Sequence, residues 1–190
     1  MVAKVDLLLE TFKNINGARA GAGVFFNKDD WVGRLPSDFL DLASKMGSGL
    51  VADGRFLILD VEGIFDHREY HQMTLGRIYG RKLIHFKNGR RVYRPGDLQD
   101  VDSVSFSNLT YWGGDDNGAM LFWDAVGSPG EWSIVATDFG ARWIRYRMHS
   151  LDYLYGLFSR NIECPIFTQD SWPKFDGVKI EPASRYEKNP

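Results

Sequence analysis

Residues 111–146 read YWGGDDNGAMLFWDAVGSPGEWSIVATDFGARWIRY. Three short apolar runs, Ala119–Asp124, Trp132–Thr137 and Arg142–Tyr146, are separated there by clusters of Gly, Pro and Asp. Runs rich in aromatic and β-branched residues with that punctuation are strands joined by tight connections. Four of the six tryptophans fall in this stretch, and large aromatics on strands are mostly buried. The stretch predicts an antiparallel meander at the centre of the core.

Upstream, Val104, Phe106 and Leu109 predict a strand over Val104–Tyr111. Leu83–Phe86 and Arg91–Tyr93 flank Asn88-Gly89, the strongest short hairpin signal. RFLILDV, residues 55–61, predicts a strand, and residues 62–74 are helical or irregular. A helix opens at Leu35-Pro36 and stops at Gly47, burying Phe39, Leu42, Ala43 and Met46. Val2, Val5, Leu8, Leu9, Phe12 and Ile15 draw one face of another helix over residues 2–16. Downstream, Ser150 can cap a helix to about Arg160, with Leu151, Leu154, Leu157 and Phe158 on its apolar face. Residues 164–190 hold Pro165, Pro173 and Pro182 and predict an extended tail, ordered near Trp172 if anywhere. The expected fold is α+β, a single domain over 1–163 with a mostly antiparallel or mixed sheet flanked by helices.

The 190 residues are 44% hydrophobic and 25% charged, with a net charge of −2. That allows one sizeable core and gives no overall basicity to hold nucleic acid. Cys164 is the single cysteine, which excludes an internal disulfide and fits a reducing compartment. No apolar run reaches the roughly 18 residues that would span a bilayer. The N-terminus is too charged for a secretory signal. A cytoplasmic protein is the expectation.

The net charge hides two blocks of opposite sign. Arg77, Arg81, Lys82, Lys87, Arg90, Arg91 and Arg94 share residues 77–94 with no acid. Residues 95–141 hold Asp97, Asp100, Asp102, Asp115, Asp116, Asp124, Glu131 and Asp138 with no Lys or Arg. The blocks either neutralise one another within the fold, or the acidic loops form a negative patch that steers a basic partner. Phosphate contact by the basic hairpin is the weaker reading, because no aromatic-rich basic face accompanies it.

No catalytic constellation is complete. His67 and His71 stand at i and i+4, but Glu69 points away from the face the zinc protease pattern needs. Two surface histidines on a solvated helix are the simpler reading. Asp115-Asp116-Asn117-Gly118 begins like a calcium loop and lacks its later ligands; a tight turn needs the same residues. Gly21-Ala22-Gly23 lacks the strand, third glycine and helix of a nucleotide site. Cys164 has no histidine near it in sequence, so a partly buried structural thiol is expected. No cofactor and no metal are expected.

Two stretches together resemble the SUKH superfamily of bacterial toxin-immunity proteins. The first is Leu35-Pro36-Ser37-Asp38-Phe39-Leu40-Asp41-Leu42, followed by the turn Gly47-Ser48-Gly49 and a strand at Phe56–Asp60. The second is Trp112-Gly113-Gly114-Asp115-Asp116-Asn117-Gly118, then Leu121-Phe122-Trp123-Asp124, then Trp132-Ser133-Ile134-Val135. The closing helix Leu151–Phe158 follows in the family's order. The resemblance covers about 31–160, with residues 77–94 as a basic hairpin insertion and 164–190 as an addition. It implies a SUKH-like domain and a non-enzymatic role, binding and neutralising a cognate cytoplasm-acting toxin of a polymorphic toxin system, such as a nuclease. The expected partner is that toxin domain, with no direct nucleic acid and no membrane. The alternatives are a regulatory adaptor of the same fold, or a small metal-dependent enzyme using His67 and His71. The expected partner-binding residues are Trp112, Asp115, Asp116, Asp124 and Glu131, with the charges attracting and Trp112 as anchor. For Trp123 and Trp132, core packing is expected instead.

Overall fold

The structure is a computed structural model that describes Leu8 and residues 26–46, 50–52, 55–79, 82–92, 101–167 and 180–182. In chain order it has helix α1 (Ser37–Met46), strands β1 (Leu50–Ala52) and β2 (Phe56–Ile58), and helix α2 (Val61–Tyr79). Strands β3 (Leu83–Lys87), β4 (Arg90–Val92), β5 (Asp102–Ser105), β6 (Leu109–Asp115), β7 (Met120–Asp124), β8 (Ser133–Thr137) and β9 (Trp143–Tyr146) follow. Helix α3 (Ser150–Phe158) and strand β10 (Ile180–Pro182) close the series. Among the described residues the ten strands form one sheet in the order β10-β1-β2-β6-β7-β8-β9-β4-β3-β5, every neighbouring pair antiparallel. The fold is α+β, an antiparallel sheet flanked by helices.

The meander β7-β8-β9 lies at the centre, as its sequence predicts. Both of its faces are covered. Trp112, Leu121, Trp123, Ile134 and Ala136 join α1 and α3 in one buried cluster. Leu109, Phe122, Val135 and Trp143 join Leu75 of α2 and Ile84, Phe86 and Val104 of β3 and β5 in a second. With both sides dry, β8 is buried at all five positions rather than at every other one. The far end of the sheet thus curls over its own centre, as a ten-stranded twisted sheet tends to do.

Side-chain contacts fix the helices to the first face. Phe39 of α1 meets Trp112 and Trp123 edge-on, at 6.1 and 5.1 Å between ring centres. Trp112 stacks on Trp123 at 5.2 Å. Asp38 Oδ2 accepts from the Leu151 backbone N–H at 2.7 Å, placing a carboxylate where the α3 N-terminus has unpaired donors. Trp123 Nε1 donates to Ser150 Oγ at 2.9 Å.

Local rules hold at the turns. Asn88 and Gly89 both have positive φ, 50° and 75°, as the tight hairpin between β3 and β4 requires. Trp112 is the extra residue of a bulge, since Tyr111 pairs with Phe122 and Gly113 with Leu121. A Cβ on Gly113 would lie 2.6 Å from the Leu57 carbonyl oxygen, so only glycine lets β2 approach here.

Several expectations change. The strand expected over Val104–Tyr111 is two strands, because Phe106–Asn108 form a 3-10 turn. β5 goes to the sheet's end beside β3, and β6 to its centre. The strand expected over 55–61 stops at Ile58, and Val61 already opens α2, where Asp60 Oδ1 accepts from the Gly63 N–H at 2.5 Å. The hairpin of block 77–94 is built into the sheet through β4 and β9 rather than set apart as an insertion. The boundary at 163 does not hold: Cys164, Ile166 and Phe167 are buried in the main cluster, and β10 pairs with β1. Apolar side chains and an open strand edge recruit the tail. Of the helix expected over 2–16 only Leu8 is described; it is helical and fully buried. The Gly21–Gly23 loop and Trp172 lie outside the described residues.

Candidate functional site

β7 runs between two acidic turns, which therefore sit at opposite ends of the sheet. Four strand steps separate Met120 from Asp124, about 13 Å. At the first end Asp115 and Asp116 lead into β7. At the second, Asp124 and Glu131 follow it. The five expected partner-binding residues do not form one patch.

At the first end, Asp115 Oδ1 accepts from the backbone N–H groups of Asn117 and Ala119, at 3.0 and 2.8 Å. Burial pushes its carboxyl above the usual range, opposed by those same bonds. Asp115 is a turn residue. It holds Asp116 outward, exposed, with the Asp116 N–H donating to the Arg55 carbonyl at 3.0 Å. The β8–β9 turn lies at this end too, where Asp138 accepts from Arg142 Nε at 2.7 Å and from the Gly140 N–H at 2.9 Å. Burial pushes the Asp138 carboxyl up, but the Arg142 side chain and the backbone donors outweigh it, and the group lies below its usual value.

At the second end Asp124, Ser133 and Arg145 share one sheet face on three neighbouring strands. Arg145 Nη2 donates to Asp124 Oδ2 at 2.6 Å, and Nε to Ser133 Oγ at 2.8 Å. Asp102 lies 4.0 Å from Arg145 Nη1 and also receives Arg147. Asp124 is 4% exposed, and its Oδ1 has no hydrogen-bond partner among the described residues. Burial pushes its carboxyl up, against the pull of Arg145. Beside this network lies an open cleft of about 520 Å³ lined by Glu131, Trp132, Arg145, Arg147 and His149 among others. Glu131 is exposed, and its Oε2 accepts from the Ser128 N–H and hydroxyl, both at 2.9 Å. Those bonds hold its carboxyl below the usual range.

Two expected roles are corrected. Trp112 is fully buried, because the bulge turns it into the core against Phe39 and Trp123, so it cannot anchor a partner. Asp124 is enclosed and committed to Arg145. Asp116 and Glu131 remain as exposed acids. Trp123 is buried as expected, and Trp132 is half-buried, its Nε1 donating to the Gly127 carbonyl at 3.3 Å.

The acids of the meander find cations in Arg142, Arg145 and Arg147, not in block 77–94. Those arginines begin one residue past the acid-only window, and their repeat R-x-x-R-x-R is visible in residues 142–147. Arg145 and Arg147, two apart on an emerging strand, share a face, which was the available signal.

His71 is not a surface histidine. Its ring lies 4.5 Å from Tyr111 and 6.4 Å from Phe122 between centres; the His67 side chain lies outside the described residues. Among the described residues no three His, Cys, Asp or Glu side chains come together to hold a metal ion. Cys164 is buried, with the Tyr153 hydroxyl donating to its Sγ at 3.5 Å. No described helix is long and apolar enough to cross a membrane. Neither a family model, nor a curated protein, nor a solved structure matches this chain.

Proposed function

We propose that the protein is an immunity protein: it binds a cognate toxin domain in the bacterial cytoplasm and neutralises it by contact, without chemistry of its own. One observation carries this reading. The three stretches that resemble the SUKH superfamily, far apart in sequence, pack on one another. Asp38 caps α3, Phe39 sits against Trp112 and Trp123, and Trp123 bonds Ser150. Residues that share a motif for structural reasons should meet in this way, which supports the resemblance and the role it implies.

The surface supports a charge-steered contact with two separate acidic points, Asp116 and Glu131. A nuclease toxin must present a positive groove to hold a phosphate backbone. Exposed carboxylates raise the encounter rate with such a groove more than they add affinity. Co-purification with the toxin domain encoded beside this chain tests the reading, together with growth of cells expressing that toxin. A stable complex that restores growth is expected. A complex that gives no protection, or no complex at micromolar concentration, overturns the proposal.

A further inference from the structure

We infer that the outward face of α2 and the start of β3 form a second docking surface, for a protein segment that carries aliphatic side chains among carboxylates. This goes beyond the toxin-binding reading and does not depend on it. Tyr70, Met73, Ile78 and Leu83 are four of the six large hydrophobic side chains that stand exposed among the described residues, at 59%, 50%, 60% and 48%. Scattered exposed apolar residues need no explanation, but a cluster in one segment marks an interaction surface.

The placement follows from the helix period. His71, Leu75 and Tyr79, spaced by four, face inward: His71 on Tyr111, Leu75 in the buried cluster, and Tyr79 stacked on Phe106 at 4.4 Å. Tyr70, Met73 and Arg77, spaced by three and four, therefore stripe the opposite side. The Lys82 N–H donates to the Tyr79 carbonyl at 3.3 Å, which closes the turn so that Ile78 and Leu83 flank it. On β3, Ile84 and Phe86 point inward while Leu83 points out. Tyr, Met and Arg are the side chains enriched at the centres of protein interfaces.

Charge selects the occupant. Arg77 and Lys82 are exposed beside the apolar positions, in a block whose seven cations have no acid among them. A second copy meeting this face symmetrically would bring like charges together. A nucleic acid strand would use the cations, but Met73, Ile78 and Leu83 offer its bases no ring to stack on. A segment with leucines flanked by glutamates satisfies both halves of the surface.

Fluorescence anisotropy of the full chain with a labelled synthetic helical peptide, leucine on one stripe and glutamate elsewhere, tests the inference. The peptide should bind about tenfold or more tightly than versions with Leu→Ser or Glu→Lys throughout. Met73→Ser with Ile78→Ser, and separately Arg77→Glu with Lys82→Glu, should each weaken it about tenfold. Asp116→Lys should leave it unchanged, which separates this surface from the acidic turns. The inference is overturned if the three peptides bind alike or not at all, or if the variants bind as the native chain does. Tighter binding of a single-stranded oligonucleotide overturns it too, as does a dimer that dissolves in the charge-reversed variant.

Discussion

At one end of β7 Asp115 closes a turn with two backbone N–H groups; at the other Asp124 closes an ion pair with an arginine 21 positions further along. The first carboxylate is satisfied by its own neighbours and leaves Asp116 exposed beside it. The second is enclosed, answered by one guanidinium, and left with one oxygen unpartnered among the described residues. A run of acids in sequence thus contains groups with three different fates: turn closure, internal pairing and free surface. Only the last can reach a partner.

The largest way to break this comparison is at the second end. Arg145→Met leaves Asp124 as an enclosed charge without a counter-ion and should cost about 3–5 kcal/mol, read by urea denaturation. Pairing it with Asp124→Leu should recover most of that loss, since removing both charges removes the desolvation penalty. A small cost for the single change would mean that Asp124 is not ionised in the fold. At the first end, Asp115→Ala removes a cap on two backbone donors and should cost about 1–2 kcal/mol in the same measurement.

Acid separates the two ends by sign. Burial raises the Asp124 carboxyl above its unfolded value, with Arg145 only partly opposing. Its ionisation therefore opposes folding, and that penalty fades as pH falls through the raised value. The native chain should accordingly gain stability relative to Asp124→Asn as pH drops from neutral toward about 4. Asp138 is buried enough to be pushed up, yet Arg142 and the backbone donors bring it below its unfolded value. Its contribution is complete above about 4 and lost as pH falls through the lowered value. The native chain should lose ground to Asp138→Asn only there. Parallel denaturation curves across pH for the two variants check both signs.

The smallest effect on stability belongs to Asp116→Lys, within about 0.5 kcal/mol, because the side chain is exposed and its turn is held by Asp115. Its consequence belongs to association instead.

Much of the fold was legible because it rests on local rules. The three apolar runs of the meander match β7, β8 and β9 to within a residue or so, and the Asn88-Gly89 hairpin and both Leu35 and Ser150 helix starts fall where their capping and turn residues put them. What was hidden depends on distance. Nothing local in SVSFSNLTY tells that the chain turns at Phe106 and sends its halves to different parts of the sheet. Trp112 looked like a surface anchor because a bulge, not simple alternation, decides which way it faces. The partner of Asp124 lay outside the window in which its charge was counted. The tail was read from its prolines and charges, while Ile166 and Phe167 decided its place.

The central claim is that this chain acts by binding a basic toxin domain through exposed acids. Association kinetics with the neighbouring toxin domain, for the native chain and for Asp116→Lys with Glu131→Lys, test it most directly. The account predicts a tight native complex whose on-rate falls steeply with salt, and a variant that associates at least about tenfold more slowly with little change in its off-rate. A native complex whose on-rate ignores both salt and these two substitutions, or no complex at micromolar concentration, would contradict it.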